Sequence, residues 1–452
     1  MTPAYAIPFA RPRPAPGASL SLRIRNAGDL AALAIPAFSW CEIHVIGRLF
    51  LPDLLLLCCI PFLWGRIQAA FKAKAVAALT ILGALWFANQ VATDLYRGTP
   101  FDDLARGWSK IGLFVLNLSI VSALVDGRNT RMLLYGLGCA IGYLTATQLN
   151  PDPWFWADHW KFGYSQPFNL ALATAGSFAW ARAHRKLAVV LLCIPAGVNG
   201  ILGARGAAAA VAVAAMLLVL DSRAGKGRSF ASRLRTMAVV AVMTIAGANA
   251  YVAVAAAGWL GEELRAKVAA EGSGDLGVVV GGRNLLLAGV ERITESPFIG
   301  MGSWATGSDY LASAASVLRD HGYTITSDTV RQADPHALSH SHVIGAWVEA
   351  GLFGGIFWAV TFIIITVRLL TGRWRQTPLS PLILYLGCML LWEILFSPFA
   401  QERRFITPFY ICCVLAATPA VRRRVGPNDA LHTRQAMPID PRPRSRRHFV
   451  QG

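Results

Sequence analysis

The chain has 452 residues, 55% hydrophobic and only 15% charged, with a mean hydropathy of +0.46 and a net charge of +17. A soluble domain carries about 25% charged residues, so the composition excludes an ordinary soluble enzyme and predicts an all-α polytopic membrane protein. The positive balance raises nucleic acid as a partner, but the placement of the basic residues removes that need.

The first 28 residues read as a Pro- and Arg-containing cytoplasmic tail (RPRPAPG) without the apolar core of a cleaved signal peptide. About twelve apolar runs follow, at 29–46, 49–64, 75–93, 110–125, 131–149, 167–182, 187–203, 206–220, 236–258, 342–367, 379–396 and 405–420. They approach the ~20 residues that a helix needs to cross a ~30 Å hydrocarbon layer. With the N-terminus inside, the short loops at 65–74, 126–131, 182–186, 221–235 and 368–378 are cytoplasmic, and each carries at least two Lys or Arg. Excess Lys and Arg in short loops holds them on that side. The pI of about 10.0 thus follows from topology, with some attraction to anionic membrane lipids and no nucleic acid. Residues 421–452, with RRR and RPRPRSRR, read as a basic disordered cytoplasmic tail. The eight cysteines all fall in apolar runs, so no disulfide framework is implied.

This orientation places 259–341 outside, as a large extracytoplasmic loop between the ninth and tenth spans. It opens polar and glycine-rich (GEELRAKVAAEGSGDLGVVVGG), and DYLASAASVLRDHGYTI reads as an amphipathic helix. The outer loop 94–109 carries Arg97 and Arg106, and 150–166 carries Trp154, Trp156 and Trp160. Interfacial anchoring is the simpler reading of these tryptophans; stacking on sugar rings is the other.

Three outward sites carry chemistry. Arg205 (ILGARGAAAA) stands at a tight turn between two apolar helices, where a charge is either functional or a snorkelling helix-end side chain. Arg283 heads a short amphipathic run (Leu285, Leu286, Leu287, Val290, Ile293) that stops before Pro297. A guanidinium at a helix start suits phosphate or pyrophosphate, and a surface salt bridge is the alternative. His336, His340 and His342, with Asp334, offer either a general base or a zinc site. Residues i and i+4 share a helix face while i+6 turns away, and no cysteine assists, which favours a single base.

Three stretches, Ala204-Arg205-Gly206, the GGRN…ITESPFIGMGSW block and HSHVIGAWVEAGLFGG, resemble the O-antigen ligase and O-antigen polymerase superfamily of bacterial envelope glycosyltransferases. Gly282-Arg283 and Pro297-Phe298-Ile299-Gly300-Met301-Gly302 match its Gly-Arg and Pro-x-x-Gly-x-Gly elements, and His340 with Glu349-Ala350-Gly351-Leu352-Phe353-Gly354 matches its His and Glu-x-Gly-x-x-Gly. The family's Asn after that His is Ser341 here, followed by His342, which leaves two histidines open as the base. The resemblance implies metal-independent, cofactor-free transfer of a polysaccharide from an undecaprenyl-diphosphate carrier to a hydroxyl of lipid A–core oligosaccharide. The reaction would take place at the periplasmic face of the bacterial inner membrane. It further implies His340 as base, Arg205 and Arg283 on the diphosphate, and His342, His336, Glu349 and Arg403 in support. A repeat-unit polymerase or an O-oligosaccharyltransferase of the same superfamily is the alternative function, and a flippase the more distant one.

Overall fold

The computed structural model describes residues 20, 22–45, 47–151, 153–222, 230–281, 283, 285–304, 308–323, 339–399 and 403–416. Both expected tails lie outside these residues, apart from the last of 1–28. His336 and Asp334 also lie outside them.

The chain is overwhelmingly helical. In order come α1 Ala27–Ala37, α2 Leu51–Ala70, α3 Lys74–Arg97, α4 Phe101–Val125, α5 Asn129–Leu149, α6 Ser165–Ala181, α7 Arg185–Ile201, α8 Arg205–Ser222 and α9 Phe230–Ala256. After α9 come α10 Glu262–Glu271, α11 Gly277–Gly281, α12 Leu285–Glu295, α13 Ser308–Asp320, α14 His342–Ala350, α15 Leu352–Thr371, α16 Ser380–Phe396 and α17 Arg403–Ala416.

Among the described residues, six helices are long and apolar enough to cross a membrane: α2, α3, α4, α5, α9 over Leu234–Ala256, and α15. At 1.5 Å per residue, the 20 residues of α15 extend about 30 Å. Helices α1, α8 over Arg205–Leu220, and α16 are apolar but shorter. Phe62 and Trp64 on α2 and Val242, Met243 and Ile245 on α9 are exposed. Such apolar faces are a liability in water and at rest in hydrocarbon, while the helix satisfies its own backbone.

Two apolar runs fold otherwise than the sequence predicts. The run 29–46 is not one span: α1 stops at Ala37, one residue after Pro36, and β1 Glu42–Val45 pairs antiparallel with β2 Gly47–Phe50. Glu42 faces Phe50 and His44 faces Arg48 across this hairpin. The run 342–367 breaks into α14 and α15 at Gly351, whose φ of +65° a side chain rarely adopts.

Three buried ion pairs join the helices. Asp29 meets Arg131 at 3.0 Å, Asp53 meets Arg404 at 2.9 Å, and Lys110 meets Glu349 at 2.6 Å. Removing one partner from such a pair leaves an uncompensated buried charge, which costs more than the pair itself contributes. Beside the last pair lies an aromatic cluster, with Trp86 stacked on Phe357 at 5.2 Å and Phe114 and Trp358 each 5.0 Å from Phe399.

Candidate functional site

Each of the three principal candidates stands at or just before the first residue of a helix. Arg205 opens α8, Arg283 precedes α12, and His340 precedes α14. A helix start presents unsatisfied backbone N–H groups and a partial positive charge, both favourable to an anion.

The structure brings these three together. At Gly206 a side chain would lie 2.5 Å from the Trp392 indole nitrogen, so only glycine lets α8 approach α16 this closely. The same Trp392 ring lies under Arg283, whose guanidinium carbon is 4.9 Å from the Trp392 centroid and 5.1 Å from that of Phe396. Arg283 Nε also donates to the Phe396 carbonyl at 3.3 Å. Stacking on two rings holds the guanidinium flat and partly dehydrated. Burial first, and then the charge of Arg205, lower its affinity for a proton; Glu271 acts in the opposite sense. It remains a cation, since a guanidinium titrates far above neutral pH. Arg205 itself donates from Nη2 to the Glu271 carboxylate on α10.

His340 is half-buried at the mouth of α14. Ser341 fixes the backbone there: its hydroxyl caps α14 by accepting from Ile344 N at 3.3 Å and donates to the Ile394 carbonyl at 2.9 Å. The His340 Nδ1 atom is enclosed and has no hydrogen-bond partner among the described residues. Burial, followed by the positive charges of Arg283 and Lys161, pushes the His340 pKa down to about 4. At neutral pH its imidazole is therefore uncharged and has a lone pair to offer.

Lys161 is a site residue that sequence reasoning missed. It lies in the wide turn Trp160–Tyr164, reaches solvent, and packs its ammonium 4.6 Å from the Phe162 ring centroid. Its proton affinity is lowered first by desolvation among the surrounding protein atoms and then by Lys267, with Arg283 adding to this; Asp158 and Glu271 oppose it. Lys161, Lys267, Arg205 and Arg283 thus crowd one region that contains the acids Glu271 and Asp158. Cations kept so close gain from a polyanion that separates them. No local motif marks Lys161, Lys267 or Glu271. They lie on segments that only the fold brings near Arg283.

The supporting candidates lie elsewhere. His342 is fully buried, its Nδ1 2.6 Å from the Ser397 carbonyl oxygen and its ring 4.7 Å from Trp358 and 5.2 Å from Phe399. It packs as a core residue in the aromatic cluster. Arg403 pairs with the buried carboxylate of Glu393. Among the described residues no three His, Cys, Asp or Glu side chains gather at metal-ligating distance. Glu349 bonds Lys110, beside a small cavity lined by Trp86, Ser339, Ser341 and Phe399. Glu349→Ala should therefore cost stability, about 3–5 kcal/mol for a broken buried pair. Thermal unfolding in detergent measures it, and the double replacement Lys110→Met/Glu349→Leu should recover much of the loss.

A single turn joins the far ends of α12 and α14. It follows Glu295 directly, and its Pro297 and Phe298 carbonyls accept from Trp347 Nε1 at 2.8 Å and Leu352 N at 3.2 Å. Met301 N and Gly302 N donate to the Val348 and Glu349 carbonyls at 2.8 and 3.0 Å. At Gly300, with φ +89°, a side chain would lie 2.5 Å from Gly351 N. The Pro-x-x-Gly-x-Gly pattern is therefore a docking turn: Gly300 lets backbone lie on backbone, and Gly302 leaves room for the side chains of Thr99 and Asp94.

No protein-family model matches the chain, and no curated protein matches its sequence.

Proposed function

We propose that this chain is a metal-independent glycosyltransferase of the O-antigen ligase type. It moves a polysaccharide from an undecaprenyl-diphosphate carrier to a hydroxyl of lipid A–core oligosaccharide. The observation that carries this reading is the convergence of Arg205, Arg283 and His340, each at a helix start, with the His340 Nδ1 enclosed and unpartnered among the described residues.

The chemistry follows from those groups. Transfer breaks the bond between the anomeric carbon and the phosphate oxygen, and charge builds on the departing diphosphate. Arg283 and Arg205, with the backbone N–H groups beside them, stabilise that charge. The acceptor hydroxyl attacks the anomeric carbon and gives its proton to His340. A base with a pKa of about 4 is weak in the empty site. The bound diphosphate adds negative charge next to the same cations and raises the imidazole's basicity, so His340 becomes a stronger base once the donor is present. Arg205 exchanges the Glu271 carboxylate for phosphate oxygens in the same step.

This reading carries an orientation with it. The short basic loops and the C-terminal tail face the cytoplasm, the 259–341 loop lies in the periplasm, and the enzyme resides in the inner membrane. A reporter fused near residue 310 should read as periplasmic and one near 228 as cytoplasmic. The reverse at either position would remove the topology and the catalytic argument together.

The deciding assay uses purified protein, a synthetic undecaprenyl-diphosphate glycan and lipid A–core acceptor. Transfer that survives EDTA is expected. Inactivation by EDTA that zinc reverses would sink the metal-free mechanism. Accumulation of single repeat units in a deletion strain, in place of lipid-linked polymer, would turn the assignment from ligase to polymerase.

A further inference from the structure

The buried acid Asp94, near the end of α3, takes no part in the chemistry above, yet five hydrogen bonds converge on it. Its Oδ1 accepts from Ser303 N at 2.6 Å and Thr99 Oγ1 at 2.9 Å. Its Oδ2 accepts from Ser303 Oγ at 2.7 Å, Trp108 Nε1 at 2.8 Å and Gln90 Nε2 at 3.2 Å. Gln90 also donates to Ser303 Oγ at 2.9 Å. One carboxylate therefore ties α3 and α4 to Ser303, in the turn that joins α12 to α14. Arg97, one helical turn further on, reinforces the grip. Its Nε and Nη2 donate to the Gly300 carbonyl at 3.1 and 2.9 Å, and its Nη2 donates to Ser296 Oγ at 2.8 Å. Thr93 donates to the Ile299 carbonyl and Asn89 to the Ala350 carbonyl. One face of α3, at positions 89, 90, 93, 94 and 97, is thus given over to polar contacts with this turn and the end of α14.

We infer that Asp94 is a positioning residue: by gripping the turn shared by the C-terminal ends of α12 and α14, it sets the spacing of Arg283 and His340 at their N-terminal ends. The two helices pivot on the turn, so a shift there moves guanidinium and imidazole relative to each other. The consequence for turnover rests on the glycosyl-transfer reading. The mechanical claim does not.

Asp94→Asn keeps the size of the side chain but turns an amide N–H₂ toward hydrogen-bond donors, so the grip fails without leaving a cavity. Full-length protein in lipid nanodiscs supplies two readouts that need no turnover. Amide exchange over 296–304 and 339–350 should speed up by about tenfold or more, with α5–α7 unchanged. The His340 titration, followed by NMR on 15N-histidine protein and assigned through His340→Gln, should move up from about 4 as Arg283 drifts away. In the transfer assay kcat should fall by about 10²-fold, the cost of a displacement near 1 Å, with a smaller change in donor KM. Arg97→Gln should act in the same direction and more weakly, and it serves if Asp94→Asn does not reach the membrane. Unchanged exchange over 296–304, or a loosened turn with an unmoved His340 titration, would overturn the inference. Failure of the transfer reading shows separately, as a wild-type protein with no transfer at all.

Discussion

His340→Ala should lower transfer by about 10²–10⁴-fold, the usual contribution of a positioned general base. His342→Ala should act differently. Its ring fills the aromatic cluster beside Trp358 and Phe399, so the loss should appear in stability and membrane level before it appears in rate. The pH profile separates a base from a merely structural histidine. In the free protein the imidazole is deprotonated above about pH 4, so kcat/KM should hold as pH falls from 7 to 5 and drop as it passes through about 4. The kcat profile reports the donor complex, where the diphosphate favours protonation, so its acid limb should lie at higher pH. Identical limbs in the two profiles, or full activity in His340→Ala, would remove His340 from the mechanism.

Arg283→Ala should reduce kcat by about 10²–10³-fold, as expected when one preorganised group facing developing charge is removed. Arg283→Lys should recover only part of this. An ammonium lacks the planar fork that meets two phosphate oxygens, and it stacks poorly on Trp392 and Phe396, the rings on which the guanidinium lies. Arg205→Ala should match it in kcat, and it should also free Glu271 from its ion pair and raise donor KM through carboxylate–phosphate repulsion. The measurement is a steady-state series with the lipid-linked donor, with protein level in the membrane checked by immunoblot. An active Arg283→Ala would reduce that residue to a surface cation stacked on two rings.

The sequence marks Arg205, Arg283 and His340 because each stands at a boundary, where an apolar run meets a glycine, a proline or a polar segment. Boundaries are local, and the chain displays them. Lys110 and Glu349 pair across 239 residues, and Asp94 reaches Ser303 across 209. Neither pairing leaves a periodic trace: Lys110 reads as an isolated charge at the head of an apolar run, and Asp94 as one acid at the start of the polar loop 94–109. The hairpin is a different kind of miss. Residues Glu42-Ile43-His44-Val45 alternate polar and apolar ahead of Gly47, a two-residue period that signals a strand. Read as a span, the run 29–46 hides that alternation among its apolar neighbours. Gly351 hides a break in the same way: one glycine among apolar residues resembles continuous helix until its φ is known.

The corner at Gly351 has a consequence for the lipid around the protein. Through it α14, and with it His340, is fastened to the end of α15, whose 20 residues give about 30 Å of apolar length. In the proposed reaction the carrier's phosphates would lie at the headgroup level, a height set by the bilayer rather than by the protein. In a thicker or thinner bilayer the spans tilt or the lipid deforms to restore the match. Either adjustment moves the imidazole relative to the phosphates while every protein contact stays as it is. Acyl-chain length thereby enters the reaction as a geometric variable, alongside the residues themselves.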